Sequence, residues 1–295
     1  MITASQQRLP TAPRGRWLSQ RQRGALIRGA LMGIYVLIAV FPFYWMVITT
    51  FKTNTDLYNL ANNPLWFNEP PTLSHIDYLF NRTLFGRWMI NSLIIGVCVV
   101  AITLVIATPA GYALARLDLP GAQQLGIAIF ATYLVPPSLL FIPLTRVVNM
   151  LGLQNTIWSL VVVLPTISIP FATWLLLGFF KNVPREIEDA GLVDGCTRTQ
   201  AVMKIVLPIS RAGLAAAGMF AFAISLQAFL YPLVFTSSAV VKPVTLGVVT
   251  DLIRGDIYYW GELMAGALIA GLPVAILFNL FLDDFVEGIT GGALK

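Results

Sequence analysis

The sequence predicts an all-α integral membrane protein: six transmembrane helices with a cytoplasmic helix-turn-helix loop between spans 4 and 5. Three observations carry that prediction. Of the 295 residues, 57% are hydrophobic and 11% charged, and mean hydropathy is +0.77; a soluble domain carries about 25% charged residues. Several uncharged runs exceed the roughly 18 residues that cross about 30 Å of hydrocarbon as a helix. One polar stretch, residues 184–208, lies between two such runs. Transmembrane strands would be about 9–11 residues long with alternating polarity, a pattern the chain lacks.

The elements follow in order. Residues 1–23 read as a flexible basic cytoplasmic arm, because a stretch rich in Gln, Arg, Pro and Ser cannot bury a core. No small-residue cleavage site precedes the first span, and that span is longer than a signal h-region, so it is expected to stay attached. Residues 24–295 read as the transmembrane domain. Its spans lie near Ala25–Phe51, Trp88–Leu114, Gln123–Leu144, Thr156–Phe180, Gly213–Phe235 and Leu263–Leu282. Residues 181–211 form the cytoplasmic loop and 283–295 a glycine-containing tail.

The net charge of +5 follows topology rather than nucleic acid. Arg8, Arg14, Arg16, Arg21, Arg23 and Arg28 precede the first span, Arg116 follows the second, and Lys181, Arg185, Arg198, Lys204 and Arg211 flank the polar stretch. Positive residues collect on the cytoplasmic side, which puts both termini there.

Much chemistry is excluded. Cys98 falls within a span and Cys196 in the polar loop, so no disulfide is expected. His75 is the single histidine and reads as structural or exposed; one His and two distant Cys make neither a metal site nor a catalytic set. No phosphate-binding Gly-x-x-x-x-Gly-Lys-[Ser/Thr] loop occurs, so this chain does not bind ATP by that route. Arg28, Lys52, Arg87 and Glu262 sit at or near span ends. Buried ionisable groups are the usual relays of ion-coupled carriers, so an autonomous ion-coupled carrier is the weaker reading.

The polar stretch has local logic. Pro184 suits a first helical position. Glu186, Glu188 and Asp189 crowd the first turns, where the helix dipole favours negative charge. Asp194-Gly195 stops the helix, since glycine adopts the left-handed conformation that closes it. Thr197 with Gln200 forms a capping box for a second helix. Ala201, Val202, Ile205 and Val206 give that helix an apolar face, and Pro208 ends it. Periodicity alone leaves this unit as either a membrane-surface connector or a rigid knob. Prolines also mark the spans, at Pro42, Pro109, Pro136, Pro137, Pro165, Pro170, Pro232 and Pro273, where kinks would let helices pivot.

The run Glu186-Ile187-Glu188-Asp189-Ala190-Gly191, with Asp194-Gly195 and then Ile205-Val206-Leu207-Pro208, resembles the EAA motif of ABC importer permeases. The usual Glu-Ala-Ala is here Asp189-Ala190-Gly191, Gly195 takes the motif's glycine, and Cys196 stands for a usual Ala. Further stretches are similar to the sugar-type, maltose-like smaller permease: Asn91-Ser92-Leu93, residues 110–116, 141–144, 151–156, 170–171, 178–180 and 285–295.

The resemblance implies a type I importer domain in a bacterial inner membrane, moving a sugar or related polyol from an extracytoplasmic binding protein into the cytoplasm. A non-sugar solute such as a glycerophosphodiester is the alternative within the family. Glu186, Glu188, Asp189, Ala190, Gly191, Asp194, Gly195 and Cys196 would then couple to an ATP-binding subunit. Gly291 and Gly292 would reach between two such subunits. Partners would be a second permease, two ATP-binding subunits, a solute-binding protein and membrane lipid, with no nucleic acid. The chain itself would hold no metal, cofactor or catalytic residue; ATP and Mg belong to the ATP-binding subunits. A sugar path needs amides and aromatic faces, for which Gln227, Tyr231, Tyr133, Asn91 and Asn279 are candidates. The segment Arg254–Gly261 reads as an interfacial aromatic anchor, ahead of the alternative that it helps dock the binding protein.

Overall fold

The computed structural model describes residues 20–291, so the arm's first 19 residues and Gly292 onward lie outside it. The chain divides into two units, Met1–Trp45 and Met46–Lys295. The described part of the first unit is helix, the start of α1 (Gln20–Phe51). Leu31, Tyr35 and Ile38 on this stretch are all exposed. A helix that is apolar around its exposed circumference suits lipid or another membrane helix.

The second unit is helical apart from one small hairpin. After α1 come α2 (Asn54–Tyr58), α3 (Ser74–Arg82), α4 (Phe85–Arg116), α5 (Ala122–Tyr133), α6 (Pro137–Met150), α7 (Ile157–Val163) and α8 (Pro165–Asn182). Then follow α9 (Arg185–Val193), α10 (Arg198–Ala201), α11 (Leu207–Ile209), α12 (Arg211–Gln227), α13 (Leu230–Phe235) and α14 (Val244–Leu252). Strands β1 (Ile253–Arg254) and β2 (Ile257–Tyr258) pair antiparallel, with Gly255 at φ +62° in the turn. Helix α15 (Trp260–Gly291) ends the described chain.

Among the described residues four stretches are long and apolar enough to cross a membrane: Ile27–Phe51, Phe85–Arg116, Ile157–Asn182 and Trp260–Leu282. The other two expected spans are not straight. Residues Ala122–Tyr133 and Pro137–Met150 meet at 92°, so the continuous span expected over Gln123–Leu144 is broken at Leu134-Val135-Pro136. Pro137 keeps its predecessor out of the helical region, with Pro136 at φ −58° and ψ 130°, and the chain restarts with Pro137 at a first helical position. The fifth expected span also divides, into α12 and α13, at Ala228-Phe229. Within the fourth, Pro165 begins α8 directly after Leu164. The expected tail is helical as far as Gly291, as a continuation of α15.

Helices α4, α8 and α12 form the centre, with α5 on α8 and α15 on α12. Small residues let backbones close up, which is how membrane helices gain packing energy. At Gly111 an added Cβ would lie 3.1 Å from the Leu177 backbone nitrogen, so α4 and α8 touch almost backbone to backbone. One buried cluster joins Ile95 and Val99 of α4 to Leu160, Leu164 and Phe235. A second joins Tyr112 of α4 to Leu176, Phe180, Val206 and Ala217.

The loop between α1 and α4 is locked by charge. Asp56 is buried and accepts hydrogen bonds from Asn68 N (2.9 Å), Asn68 Nδ2 (2.8 Å) and Asn62 Nδ2 (2.9 Å), and pairs with Lys52 Nζ at 3.4 Å. Burial alone would push its pKa up. The donors, Asn68 first, outweigh that and hold the carboxyl down at about 2. Nearby, His75 is buried between two oxygens: Nδ1 lies 3.0 Å from Glu262 Oε1, and Nε2 lies 2.8 Å from the Lys52 carbonyl oxygen. Both partners are acceptors, so the doubly protonated ring satisfies both at once. Burial pulls its pKa down, but Glu262 and the Lys52 carbonyl prevail and the net shift is upward.

Candidate functional site

The loop after α8 folds as a helix-turn-helix knob. Pro184 occupies the N-cap of α9, one residue earlier than expected, and Glu186 and Glu188 fill the first turn. Gly195 at φ +91° closes the helix. Its N–H donates to Leu192 O (3.1 Å), and Cys196 N–H donates back to Gly191 O (3.0 Å). These two bonds make the left-handed glycine stop expected at Asp194-Gly195.

Thr197 then opens the second helix with a reciprocal cap: Gln200 N–H donates to Thr197 Oγ1 (3.3 Å) and Thr197 N–H to Gln200 Oε1 (2.9 Å). This helix does not stop at Pro208, as the sequence predicts, but runs on to Ile209. The reason is a π segment, Val202–Val206, in which Leu207 N–H reaches back five residues to Val202 O. Pro208 has no N–H to give, and the widened turn accommodates its ring. At Ser210 the chain turns by 77° into α12.

The eight expected coupling residues divide by direction. Glu186, Asp189, Ala190, Asp194 and Gly195 are exposed, Cys196 is half-buried, and Glu188 and Gly191 are buried. Gly191 faces the second helix: an added Cβ would overlap Ile205 Cδ1. The side chain of Ile205 occupies the space that the alanine of the related motif would take.

Glu188 turns toward α4. It accepts a hydrogen bond from Tyr112 Oη, and its Oε2 lies 3.6 Å from Arg116 Nε. At that distance the Arg116 contact is an ion pair rather than a hydrogen bond. Arg116 also donates to the Val183 carbonyl, so the last turn of α4 grips both ends of the α8–α9 connection. Sequence reading placed Tyr112 and Arg116 only at a span exit. Their partner lies 76 residues away, and the only local signal was a tyrosine and an arginine four apart, on one helix face.

Reading the motif for charge also missed the knob's outward apolar side chains. Val193 is 88% exposed, Met203 63% and Ile187 41%. Solvent-facing Val and Ile on a short acidic helix suit a protein cleft better than water. A polar cleft of about 280 Å³ opens at the knob's base, lined by Arg116, Asp118, Arg185, Glu188, Asp189 and Arg198.

The five candidate path residues fare differently. Asn91 is buried and donates to Val240 O (2.8 Å) and Lys242 O (3.0 Å), which braces α4 against the segment before α14. Tyr231 is buried, stacks on Phe235 and donates to Pro137 O (3.2 Å). That bond stitches the break before α6 to the break before α13. Tyr133 ends α5 at the first break and Gln227 ends α12 at the second; Gln227 is exposed. Asn279 is exposed on α15, apart from these. A cavity of about 560 Å³ lies between α4, α12 and α15 and contains none of the five. Its walls are Val100, Leu104, Leu214, Met219 and Phe222 with Arg211 at one edge, a lining poor in groups to match hydroxyls. Among the described residues no three His, Cys, Asp or Glu side chains are grouped to hold a metal ion.

Residues 107–290 match the family described as binding-protein-dependent transport system inner membrane component. The chain is 32% identical over 280 residues to the sulfoquinovosyl glycerol transport system permease protein SmoH of Agrobacterium fabrum, covering 94% of this chain and 96% of that one. It is 32% identical over 257 residues to the diacetylchitobiose uptake system permease protein DasC of Streptomyces coelicolor (87% and 92% covered). It is 29% identical over 276 residues to the trehalose/maltose transport system permease protein MalG of Thermococcus litoralis (93% and 97% covered). The fold matches a chain from the crystal structure of a bacterial ABC transporter that imports the acidic polysaccharide alginate, with TM-score 0.78 over 92% of this chain and all of that one. At 17% identity that likeness is one of fold.

Proposed function

Because the chain belongs to the family of binding-protein-dependent inner-membrane transport components, we propose that it is one permease subunit of an ATP-driven importer moving a sugar or related polyol into the cytoplasm. The coarser statement stands on the family: this is a multi-pass carbohydrate ABC permease whose ATPase resides in a separate subunit. The finer reading adds direction, partners and residue roles. Six spans follow if the four long apolar stretches are joined by the bent pair α5–α6 as one crossing and by α12 with α13 as another, with both termini cytoplasmic. A second permease would complete the path, two ATP-binding subunits would bind ATP and Mg, and a binding protein would deliver solute.

The division of the knob carries this reading. Its outward face, with Glu186, Ile187, Asp189, Ala190 and Val193, is available to a partner, while Glu188 is turned inward onto Tyr112 and Arg116. A cleft closing on the outer face would push α9 as a unit, because both its ends are fixed by backbone geometry. Displacement would pass to α4 through Glu188 and to α12 through the helix Arg198–Ile209. Gly291 ends the described part of α15 and Gly292 lies beyond it, so their reach between the ATP-binding subunits remains part of this proposal.

The test is a mild-detergent pull-down of the tagged chain from native membranes, followed by reconstitution with labelled maltose, trehalose and diacetylchitobiose. The expected result is co-purification of an ATPase and a second multi-span permease, with uptake that requires ATP and the binding protein. Recovery of the chain alone, with transport that survives ATP depletion, would point to an autonomous carrier.

A further inference from the structure

We propose that a half-exposed wall of aromatic rings beside the two helix breaks is the surface on which this subunit receives the face of a neutral sugar ring in transit. The proposal rests on the carbohydrate-importer reading above. The wall spans three helices: Phe130 and Tyr133 of α5, Phe171 and Trp174 of α8, and Phe220 of α12. Ring centroids lie 4.0 Å apart for Phe171–Phe220, 4.7 Å for Phe130–Trp174, 5.5 Å for Tyr133–Phe171 and 6.1 Å for Tyr133–Phe220. These contacts join the rings into one continuous patch.

Three observations select a solute over lipid or core packing. First, the rings are not consumed by the core. Phe85, Phe180 and Phe235 are fully buried, whereas Phe130, Tyr133, Phe171 and Phe220 are half-exposed and Trp174 is exposed.

Second, the wall ends at exposed non-helical backbone. Leu134, Val135 and Pro136 are all exposed where α5 breaks. Helix α5 has 12 residues, about 18 Å at 1.5 Å per residue, so an α5 that starts at the membrane face breaks inside a layer about 30 Å thick. Lipid cannot cover irregular backbone there; such backbone must be buried in protein or line a watery cavity. Broken helices of this kind bound the solute sites of many transporters.

Third, unspent polar groups sit at the wall's end. Among the described residues the Tyr133 hydroxyl and the Gln227 amide find no hydrogen-bond partner. Gln227 lies seven residues after Phe220, about two helical turns on, and therefore on the same face of α12. Flat apolar rings with a few orienting polar groups and no charge match a neutral sugar, whose C–H faces stack while its hydroxyls pair. Tyr231 holds the two breaks together through Pro137 O and thereby sets the wall's geometry.

The test uses the complete reconstituted importer and the same labelled disaccharides. Phe171→Leu keeps apolar bulk but removes the ring face; Phe171→Tyr restores the face. Trp158→Leu, an exposed aromatic on α7 outside the wall, is the control. The expected result is that Phe171→Leu lowers uptake about tenfold, that Phe171→Tyr recovers most of it, and that Trp158→Leu matches the parent. Uptake by Phe171→Leu equal to the parent would overturn the wall. So would dissociation of the Phe171→Leu complex on gel filtration, which would make the patch a packing surface for the second permease. An assembled parent complex that moves no sugar would overturn the carbohydrate reading itself, and that arm is read before any variant.

Discussion

The Tyr112 hydroxyl hydrogen-bonds the Glu188 carboxylate, tying the last turn of one long apolar helix to the first turn of the short helix that follows another. The contact is buried, with Tyr112 7% and Glu188 6% exposed. A buried carboxylate that loses its donor bears the full cost of desolvation, so this one bond weighs more than any surface pair on the knob.

Tyr112→Phe should therefore loosen the knob without removing its docking face. A hydrogen bond to a charged group is worth about 1.5–3 kcal/mol. The expected outcome is ATP hydrolysis that continues while sugar uptake falls, measured in parallel on the same proteoliposomes. Equal losses of both would mean that Tyr112 serves only to keep the chain folded.

Gly191 and Ile205 make a second, purely steric prediction. Helix propensity favours Ala over Gly by about 1 kcal/mol, so Gly191→Ala would stabilise an unobstructed helix. Here the new methyl meets Ile205 Cδ1, and overpacking costs about 1–3 kcal/mol. Gly191→Ala should lower the thermal midpoint of the purified complex. Ile205→Val, which deletes Cδ1, should reverse the loss in the double variant by more than additivity allows.

Gly195 separates backbone from bulk. Its φ of +91° penalises any side chain, and no atom lies within 4 Å of an added Cβ. Alanine and tryptophan should thus cost the same conformational strain, about 1–2 kcal/mol. Only tryptophan would also obstruct a closing partner. Gly195→Ala should retain most coupled transport and Gly195→Trp should lose it, as read from uptake per ATP hydrolysed.

The loop before α4 should respond to pH with two opposite signs. The pKa of His75 is raised in the folded state, so its stabilisation is fully present below the unfolded value of about 6.5 and is lost as pH rises through the folded value. Asp56 is held at about 2; its stabilisation is present above the unfolded value of about 3.9 and is lost as pH falls toward 2. Thermal midpoints from pH 5.5 to 8.5 should fall in the parent and flatten in His75→Gln. Asp56→Asn should remove the loss seen on acidification below about pH 4.

Local signals were legible in the sequence, and distant ones were not. The glycine stop at Gly195 and the Thr197–Gln200 cap depend on residues within five positions, and the backbone follows them closely. The inward turn of Glu188 and outward turn of Glu186 could not be read, because the difference is made by Tyr112 and Arg116 on another helix. Hydropathy measured apolar length over Gln123–Leu144 but not backbone direction; Pro136-Pro137 carried the break, and a proline pair in an apolar run equally suits a kink. Asn91 and Tyr231 were singled out as polar groups in spans. They are spent instead on backbone carbonyls, which shows how many in-membrane polar groups serve architecture first.

The 92° break has a consequence for biogenesis. Helices α5 and α6 have 12 and 14 residues, each short of the roughly 20 that a nascent segment needs to span the bilayer by itself. Neither half can leave the insertion machinery as a stable independent helix. This segment must wait for α8 and α13, synthesised later, before it is sheltered. Translation past Phe235 is therefore the earliest point at which this stretch of the chain can reach its final place.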